Sequence, residues 1–529
     1  MEFQLVEGAL HCFGLGSVLV GFSRLGHVVL ILKKTATTRA QDRLDRLREG
    51  GATGFANARA CPGEVYLKPR AGRDPNLTSK FALTQAVGHW LPKAARADVC
   101  ASRRNMSSES GGDAHGAVLC YDFIMPFDFE PRSAAFIADP YPALAQARLH
   151  APLFRSAALG GWVAARHADC KALLKDPRLS ADRMSPFFGH LQGQAREDVA
   201  TLEAMMKRWA VFVDPPVHTR LRGLMNKAFG PRAIEGLAPM IARRVDRLID
   251  GLEGQNRVDF IREFAYPLPA FVIADLLGVP EEDVDLLKQW SDDLGAFVLT
   301  ARASPDKYTR AEAAAKQMQL YFGDLVKARR KQPGGDAASW LIASADADAS
   351  MDADELTASC VLLLFAGHET TTHLLGNGLW ALLSHPEQEQ TLRRRVDDDA
   401  FVEGAVEEML RWDGPSLAQV RVASQPIDWN GAVLATGDRV FLMLAGAARD
   451  DAVFADAERF DVARDAGAHM AFGYGIHFCV GAPLARLEGR IAFRRLLKRL
   501  PRLALAAQKL EWSDNLVVRG LHRLEIEIG

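Results

Sequence analysis

Cysteine is sparse and scattered: seven residues in 529, odd in number and without paired spacing. That rules out the dense disulfide framework of a small secreted domain, gives no zinc-type ligand set, and fits reduced thiols in a cytoplasmic protein. Neither sign of charge is in excess, since 64 Lys and Arg against 66 Asp and Glu leave a net charge of -2. This argues against a nucleic-acid partner and against a polybasic membrane surface. Long hydrophobic runs are also lacking. The one stretch of membrane-like composition, Leu10 to Leu32, is interrupted by Arg24 and His27 and has neither a basic leader nor a small-residue cleavage site, so no membrane insertion is expected. What is present is 48% hydrophobic side chains, enough for a large buried core, and a small molecule is the default partner.

The chain changes character near residue 124. Residues 1–124 hold 16 Lys and Arg against 11 Asp and Glu, four of the seven cysteines, and the Gly/Ser-rich patch Ser107 to Gly112, with no sustained helical period. They have no assignable fold. Two readings stand: a disordered appendage, or a gene-model extension with Met106 or Met125 as the native start. From residue 125 to 529 apolar residues recur at helical spacing between compact turn signals. Asp352 with Glu355 forms a capping-box pattern that opens a long helix ending before Pro386, and its stretch Cys360 to Ala366 is apolar on every face. Such a helix belongs in the interior. Ile427 to Leu444, with Asn430-Gly431 and Thr436-Gly437 as turns, reads as short strands. The expected class is mainly α with small β-sheets.

An isolated cysteine is usually a core residue, and Cys170 and Cys360 read that way. Cys479 differs. It lies in Phe472-Gly473-Tyr474-Gly475-Ile476-His477-Phe478-Cys479-Val480-Gly481, just before Ala482-Pro483-Leu484 opens a helix. Free N–H groups at a helix start favour a thiolate, and glycines such as Gly473, Gly475 and Gly481 admit positive φ and the close approach of a flat ligand. The stretch resembles the haem-binding signature of the cytochrome P-450 family, and the resemblance extends over roughly residues 125–529. It implies a helix-rich triangular prism with small sheets. Haem b (iron protoporphyrin IX) would lie between the long buried helix and the helix after Cys479, the axial ligand, with Phe472, Gly473 and Gly481 shaping the loop.

Further blocks match the family in order. His218 and Arg222, four apart and so on one helix face, resemble its propionate-binding pair; Arg421 and His477 match its other propionate donors. Ala366-Gly367-His368-Glu369-Thr370 resembles the oxygen-binding segment, where the equivalents of Glu369 and Thr370 break the helical ladder, open a groove for dioxygen and relay protons. Thr371 and Thr372 read as structural, and His368 has no assigned role. Glu408 and Arg411 correspond to a buried pair joined by Arg459 to brace the cysteine loop. Family positions that face substrate fall at Leu417, Ala418, Val420, Leu516 and Val517, and in Ser185 to Phe212 and Ser291 to Thr300.

The implied activity is insertion of one oxygen atom from O2 into a hydrophobic small molecule, such as a terpenoid, polyketide, fatty acid or aromatic. No flavin or iron–sulfur cassette is visible, so electrons would come from a separate ferredoxin or flavodoxin with a reductase. The cations Arg486, Arg490, Arg494, Arg495, Lys498 and Arg499 either receive such a carrier or form a solvated face. A peroxide-driven peroxygenase and a non-catalytic haem sensor or carrier-protein scaffold are the alternatives.

Overall fold

Asp352 starts the helix that organises the fold. Its carboxylate accepts from the Glu355 N–H at 2.7 Å while the Glu355 side chain accepts from the Asp352 N–H at 3.2 Å, the reciprocal cap expected from the sequence. The helix then runs without interruption from Ala353 to Leu383. The computed structural model describes residues 17–22, 28–33, 129–298, 306–348 and 351–529. The chain divides into two units, Met1–Phe127 and Asp128–Gly529.

In the first unit the described residues form one antiparallel hairpin, β1 (Ser17–Phe22) with β2 (Val28–Lys33), in register from Ser17 opposite Lys33 to Phe22 opposite Val28. Valine and leucine recur in both runs, with Ile31 in the second, and β-branched side chains suit the pleated chain. The apolar stretch Leu10 to Leu32 therefore supplies strands where it is described. Among the described residues, no helix is long and apolar enough to cross a membrane. The remaining expectations for residues 1–124 lie outside the described residues.

In the second unit, β3 (Phe154–Ser156), β4 (Gly161–Ala164), β5 (Leu179–Ser180), β7 (Gln419–Ala423) and β10 (Arg439–Leu442) make one sheet in the order β3-β4-β10-β7-β5. Only β4 and β10 run parallel. β6 (Arg257–Asp259), β11 (Leu503–Leu505) and β14 (Glu525–Ile528) form a second sheet, while β8 (Ile427–Trp429) with β9 (Ala432–Leu434), and β12 (Glu511–Trp512) with β13 (Leu521–Arg523), are two-stranded. The β8–β9 turn uses Asn430 at φ 52° and Gly431 at φ 86°, the two left-handed positions of a tight hairpin. The strands expected between Ile427 and Leu444 end at Leu442, and Leu444–Ala447 is a short helix.

The helices that frame the site are, in chain order, α1 (Met184–Gly189), α2 (Val217–Ala228), α3 (Pro267–Leu277), α4 (Val284–Val298), α5 (Lys307–Lys331), α6 (Ala353–Leu383), α7 (Asp399–Asp413) and α8 (Ala482–Arg499). α6 packs against α3, α4, α5, α7 and α8 and is buried at most positions, each fully buried leucine contributing about 2 kcal/mol. α6 and α8 meet where Gly378 faces Phe493; a Cβ at Gly378 would lie 2.8 Å from the Phe493 ring. That contact is C-terminal to Ala366-Gly367-His368-Glu369-Thr370, which leaves the middle of α6 for the site.

Candidate active site

Cys479 is held by its own loop. Its N–H donates to the Phe472 carbonyl at 2.9 Å, closing the turn built on Gly473 (φ 74°) and Gly475 (φ 77°). Only glycine takes that region at little cost. A Cβ on Gly473 would also lie 2.7 Å from Gln419 Nε2 on β7. Gly481 does not share this role: its φ is -81°, so the expectation of positive φ fails there, and it instead caps α8. The Cys479 residue is exposed, yet burial pushes its thiol above the ordinary range, opposed by the N–H groups of Gly481 and Ala482 and the charges of Arg222 and Arg486. These observations agree if the sulfur is surrounded by protein at a distance and open on one side. Cys170 and Cys360 are fully buried, as expected for core thiols.

Five cationic or ionisable side chains converge beside that loop. The rings of His218 (α2) and His477 have centroids 4.1 Å apart. Burial first, then Arg421, His218 and Arg222, push His477 down to about 3; burial and Arg222 also lower His218. Arg421 on β7 is 6% exposed and donates to the Val420 carbonyl and the Gln419 side chain, with burial pushing it down to about 10. Arg222 donates to Asn226, and its charge reaches Cys479. The fifth is Arg183, just before α1, which burial and the like charge of Arg421 push down to about 10. Sequence reasoning missed it. Asp214 is the acid acting on Arg421 and His218, but it is engaged by the Ser180 hydroxyl and the Ala181 N–H. Clustered guanidinium groups with so little opposite charge suit a ligand bearing carboxylates. The donor set therefore fits a haem: an open thiol, a glycine turn beside it, and cations for two propionates.

On α6, Ala366 and Thr370 are exposed although their neighbours Phe365 and Thr371 are buried. Four residues apart, they share one face, so the buried helix has an accessible notch where the sequence places the oxygen-binding segment. The Thr370 hydroxyl donates to the Ala366 carbonyl at 3.1 Å, a back-bond within an unbroken helix; the expected interruption of the ladder is absent. Thr371 and Thr372 make the same bonds to Gly367 and His368 and are structural. His368 is buried with Nδ1 at 3.1 Å from the Leu364 carbonyl and packs edge-on to Tyr266, which makes it a core residue. Burial would raise Glu369, but His373, with His368 and Lys288, holds it below the ordinary carboxylate range. His373 Nε2 lies 3.9 Å from Glu369 Oε1, within ion-pair reach and too far for a direct hydrogen bond.

Arg411 and Glu408 form a bidentate pair at 2.6 and 2.8 Å with both side chains 0% exposed. Arg459 does not complete it. Its carbonyl accepts from Arg411, but its side chain points to Asp461 and is 61% exposed. The third member is Arg464, 3.2 Å from Glu408 Oε1, together with the Asp461 N–H. Sequence reasoning also missed Glu407, which binds Arg486 of α8 at 2.7 and 2.8 Å and His469 at 3.0 Å. Burial alone would raise Glu407; Arg486 and His469 override it and hold it at about 2, against an ordinary 4.5. A depressed carboxylate stabilises the fold above its unfolded value and loses that contribution as pH falls toward the folded value. Glu407→Gln is thus expected to cost up to ~3 kcal/mol at pH 7. It should also flatten the stability loss between about pH 5 and 2, and an unchanged slope in denaturant midpoints against pH would refute the assignment.

The cytochrome P450 family model matches residues 191–516. Over 400 residues the chain is 41% identical to the cytochrome P450 monooxygenase PikC of Streptomyces venezuelae, covering 74% of this chain and 91% of that protein. The chain belongs to the cytochrome P450 family. The vitamin D(3) 25-hydroxylase of Pseudonocardia autotrophica is 39% identical over 404 residues, covering 75% of this chain and 96% of that enzyme. The crystal structure of P450BioI in complex with a hexadec-9Z-enoic acid-ligated acyl carrier protein matches with a TM-score of 0.69 at 34% identity, over 75% of this chain and 99% of that one. The second unit thus has the cytochrome P450 fold, and the enzyme is a P450 monooxygenase, an oxidoreductase of the haem-iron class.

In this P450 the substrate-facing candidates come together. The N–H groups of Leu417 and Ala418 donate to the Val517 carbonyl at 2.8 and 3.3 Å. Val420 is buried on β7, and Leu516 is half-buried. Phe187 of α1 lies 5.4 Å from Phe297 of α4, joining the two distant stretches, although Thr300 lies outside the described residues. The cations of α8 are answered by the chain's own acids: Arg486 by Glu407, Arg490 by Glu235, Arg494 by Asp397 and Asp399, Arg495 by Asp246, Lys498 by Asp397, and Arg499 by Asp250 and Glu253. An acidic electron carrier would compete with these pairs.

Proposed function

We propose that this enzyme holds iron protoporphyrin IX through Cys479 and inserts one oxygen atom from O2 into a hydrophobic small molecule. Electrons would come from a separate ferredoxin or flavodoxin with its reductase. One observation carries the reading: an open thiol at the start of a helix, backed by the N–H groups of Gly481 and Ala482, within reach of the charges of Arg222 and Arg486. When bound, the haem supplies dioxygen activation at a thiolate-ligated iron, where sulfur donation favours O–O cleavage. Arg222 and Arg421, with His218 and His477 beside them, would hold its two propionates.

Ala366 and Gly367 leave room at the notch, and the Thr370 hydroxyl can pass a proton to a group bound there. Glu369, ionised and within ion-pair reach of His373, would return the proton from solvent. Two of the relatives carry apolar molecules in their names, vitamin D(3) and hexadec-9Z-enoic acid, in keeping with the buried Leu417, Ala418 and Val420.

Reduced haem-loaded protein under carbon monoxide is expected to give the red-displaced Soret band of a cysteinate adduct; a band at the position given by a neutral thiol or histidine overturns the proposal. Thr370→Ala is expected to keep substrate binding while most reductant is diverted from product, with ~10²-fold less proton-transfer rate. Comparing NADH consumed with product formed checks this, and full coupling in the variant removes Thr370 from the relay.

A further inference from the structure

Three histidines lie on or just beyond α6, and one of them is held differently from the others. His368 and His385 turn Nδ1 back to the carbonyl four residues earlier, Leu364 at 3.1 Å and Ala381 at 2.7 Å. His373 does not. Its side chain is only 11% exposed, and its Nδ1 is buried with no hydrogen-bond partner among the described residues. An unmade bond at a buried polar atom is costly, so another contact must set the orientation of the ring. That contact is Glu369, one turn earlier, whose Oε1 lies 3.9 Å from Nε2. The segment between β12 and β13 leaves space for the ring at Gly520, where a Cβ would overlap Nδ1.

The position of the imidazole proton follows. With the proton on Nε2, the ring turns a donor toward a carboxylate and leaves only a lone pair unmatched at Nδ1; with it on Nδ1, a buried N–H is stranded and a lone pair faces a negative charge. A small side-chain rotation closes the gap, as catalytic hydrogen bonds often tighten only with ligands in place. Glu369 is otherwise free to serve. Its side chain is 36% exposed and so reaches solvent, and its Oε2 faces Gly295 of α4, where even a Cβ would stand 3.7 Å away. The other charged or ionisable groups around the pair are engaged elsewhere: Lys288 of α4 by Asp292 at 2.6 Å, His368 by the Leu364 carbonyl, and Arg519, next to Gly520, by Asp413 and the Ile137 and Ala138 carbonyls. Burial pushes Glu369 up, and His373 leads the groups that pull it down. We propose that His373 is the positioning residue of the proton relay, its Nε2–H donating to Glu369 Oε1 so that Oε2 is left free to carry protons from solvent to Thr370. A proton from solvent adds to Oε2 and passes to the Thr370 hydroxyl as that hydroxyl gives up its own; the carboxylate is restored, and His373 keeps its proton throughout. The inference rests on the relay reading above.

Two variants separate this role from packing. His373→Leu removes the donor and fills the space, whereas His373→Gln can place an amide N–H near the Nε2 position. Infrared difference spectra of the resting, haem-loaded full chain, recorded against pH, report the Glu369 carboxyl band, identified as the one missing from Glu369→Gln. In His373→Leu that band should appear at a higher pH than in the parent, because the leading opposition to burial is gone, and in His373→Gln it should lie between the two. When product formed is compared with NADH consumed, His373→Leu should lose ~10-fold in proton-transfer rate, less than Thr370→Ala, and His373→Gln should recover part of it. The proposal is overturned if the band of His373→Leu stays at the parent pH, if the two variants behave alike, or if His373→Leu remains as fully coupled as the parent. Thr370→Ala tells the two failures apart. Uncoupling by Thr370→Ala with full coupling in His373→Leu defeats only the role of His373, whereas full coupling in Thr370→Ala defeats the relay reading and this role with it, even where the carboxyl band still depends on His373.

Discussion

Cys479→Ala is expected to abolish the red-displaced carbonyl band and lower product formation by at least ~10³-fold, equivalent to ~4 kcal/mol of lost transition-state stabilisation. The size follows from what the site supplies only through that sulfur. The N–H groups of Gly481 and Ala482 and the charges of Arg222 and Arg486 all favour the thiolate over the thiol, against the burial that raises it, so once a metal replaces the proton these groups stabilise the bound form. No other described cysteine can substitute. Cys360 is buried in α6 with its thiol pushed up to about 12, and Cys170 is buried and raised further. Cys170→Ala and Cys360→Ala should leave the spectrum unchanged and cost only packing. Retention of the band by Cys479→Ala, measured on protein with equal haem content, would sink the assignment of the axial ligand.

The parts of this site written in contiguous residues were legible in the sequence. The capping box of α6 needs only Asp352 and Glu355, and the cysteine turn needs the glycines between Phe472 and Cys479, because both are local backbone chemistry. What was not legible depends on long-range pairing. Arg459 and Arg464 are five residues apart in a segment without regular structure, and nothing local says which guanidinium turns inward to Glu408 and which meets Asp461 at the surface. Glu407 looks like an ordinary helix acid until α8 brings Arg486 and the cysteine loop brings His469 to it. Arg183 stands among loop residues that only the fold carries to Arg421. Thr370 illustrates the opposite case: its back-bond to Ala366 was open to a purely structural reading, and its exposure, invisible in the sequence, separates it from Thr371 and Thr372.

The largest stability effect is expected at Arg411. All five donor positions of its guanidinium are used: Glu408 takes Nε and Nη2, Arg459 contributes a carbonyl at 3.1 Å to Nη2, and the Ala448 and Ala457 carbonyls take Nη1 at 2.9 and 2.8 Å. Truncating it leaves a fully buried Glu408 carboxylate with only Arg464 and the Asp461 N–H, and strands three carbonyls. Removing one partner of a buried ion pair costs about 3–5 kcal/mol, a large share of the roughly 5–15 kcal/mol that holds a domain folded. Arg411→Ala should accordingly give little folded, haem-loaded protein. Arg411→Lys should recover only part of the loss, because an ammonium cannot present the planar fork. Because the alanine variant can fail before it is measured, the discriminating test lies at its neighbours. Arg464→Ala, removing a partly buried charge from Glu408, is expected to cost about 1–3 kcal/mol. Arg459→Ala, removing an exposed ion pair, should cost at most ~0.5 kcal/mol. Denaturant unfolding of the two variants decides between them, and a larger loss at Arg459 than at Arg464 would show that the wrong guanidinium has been placed on Glu408.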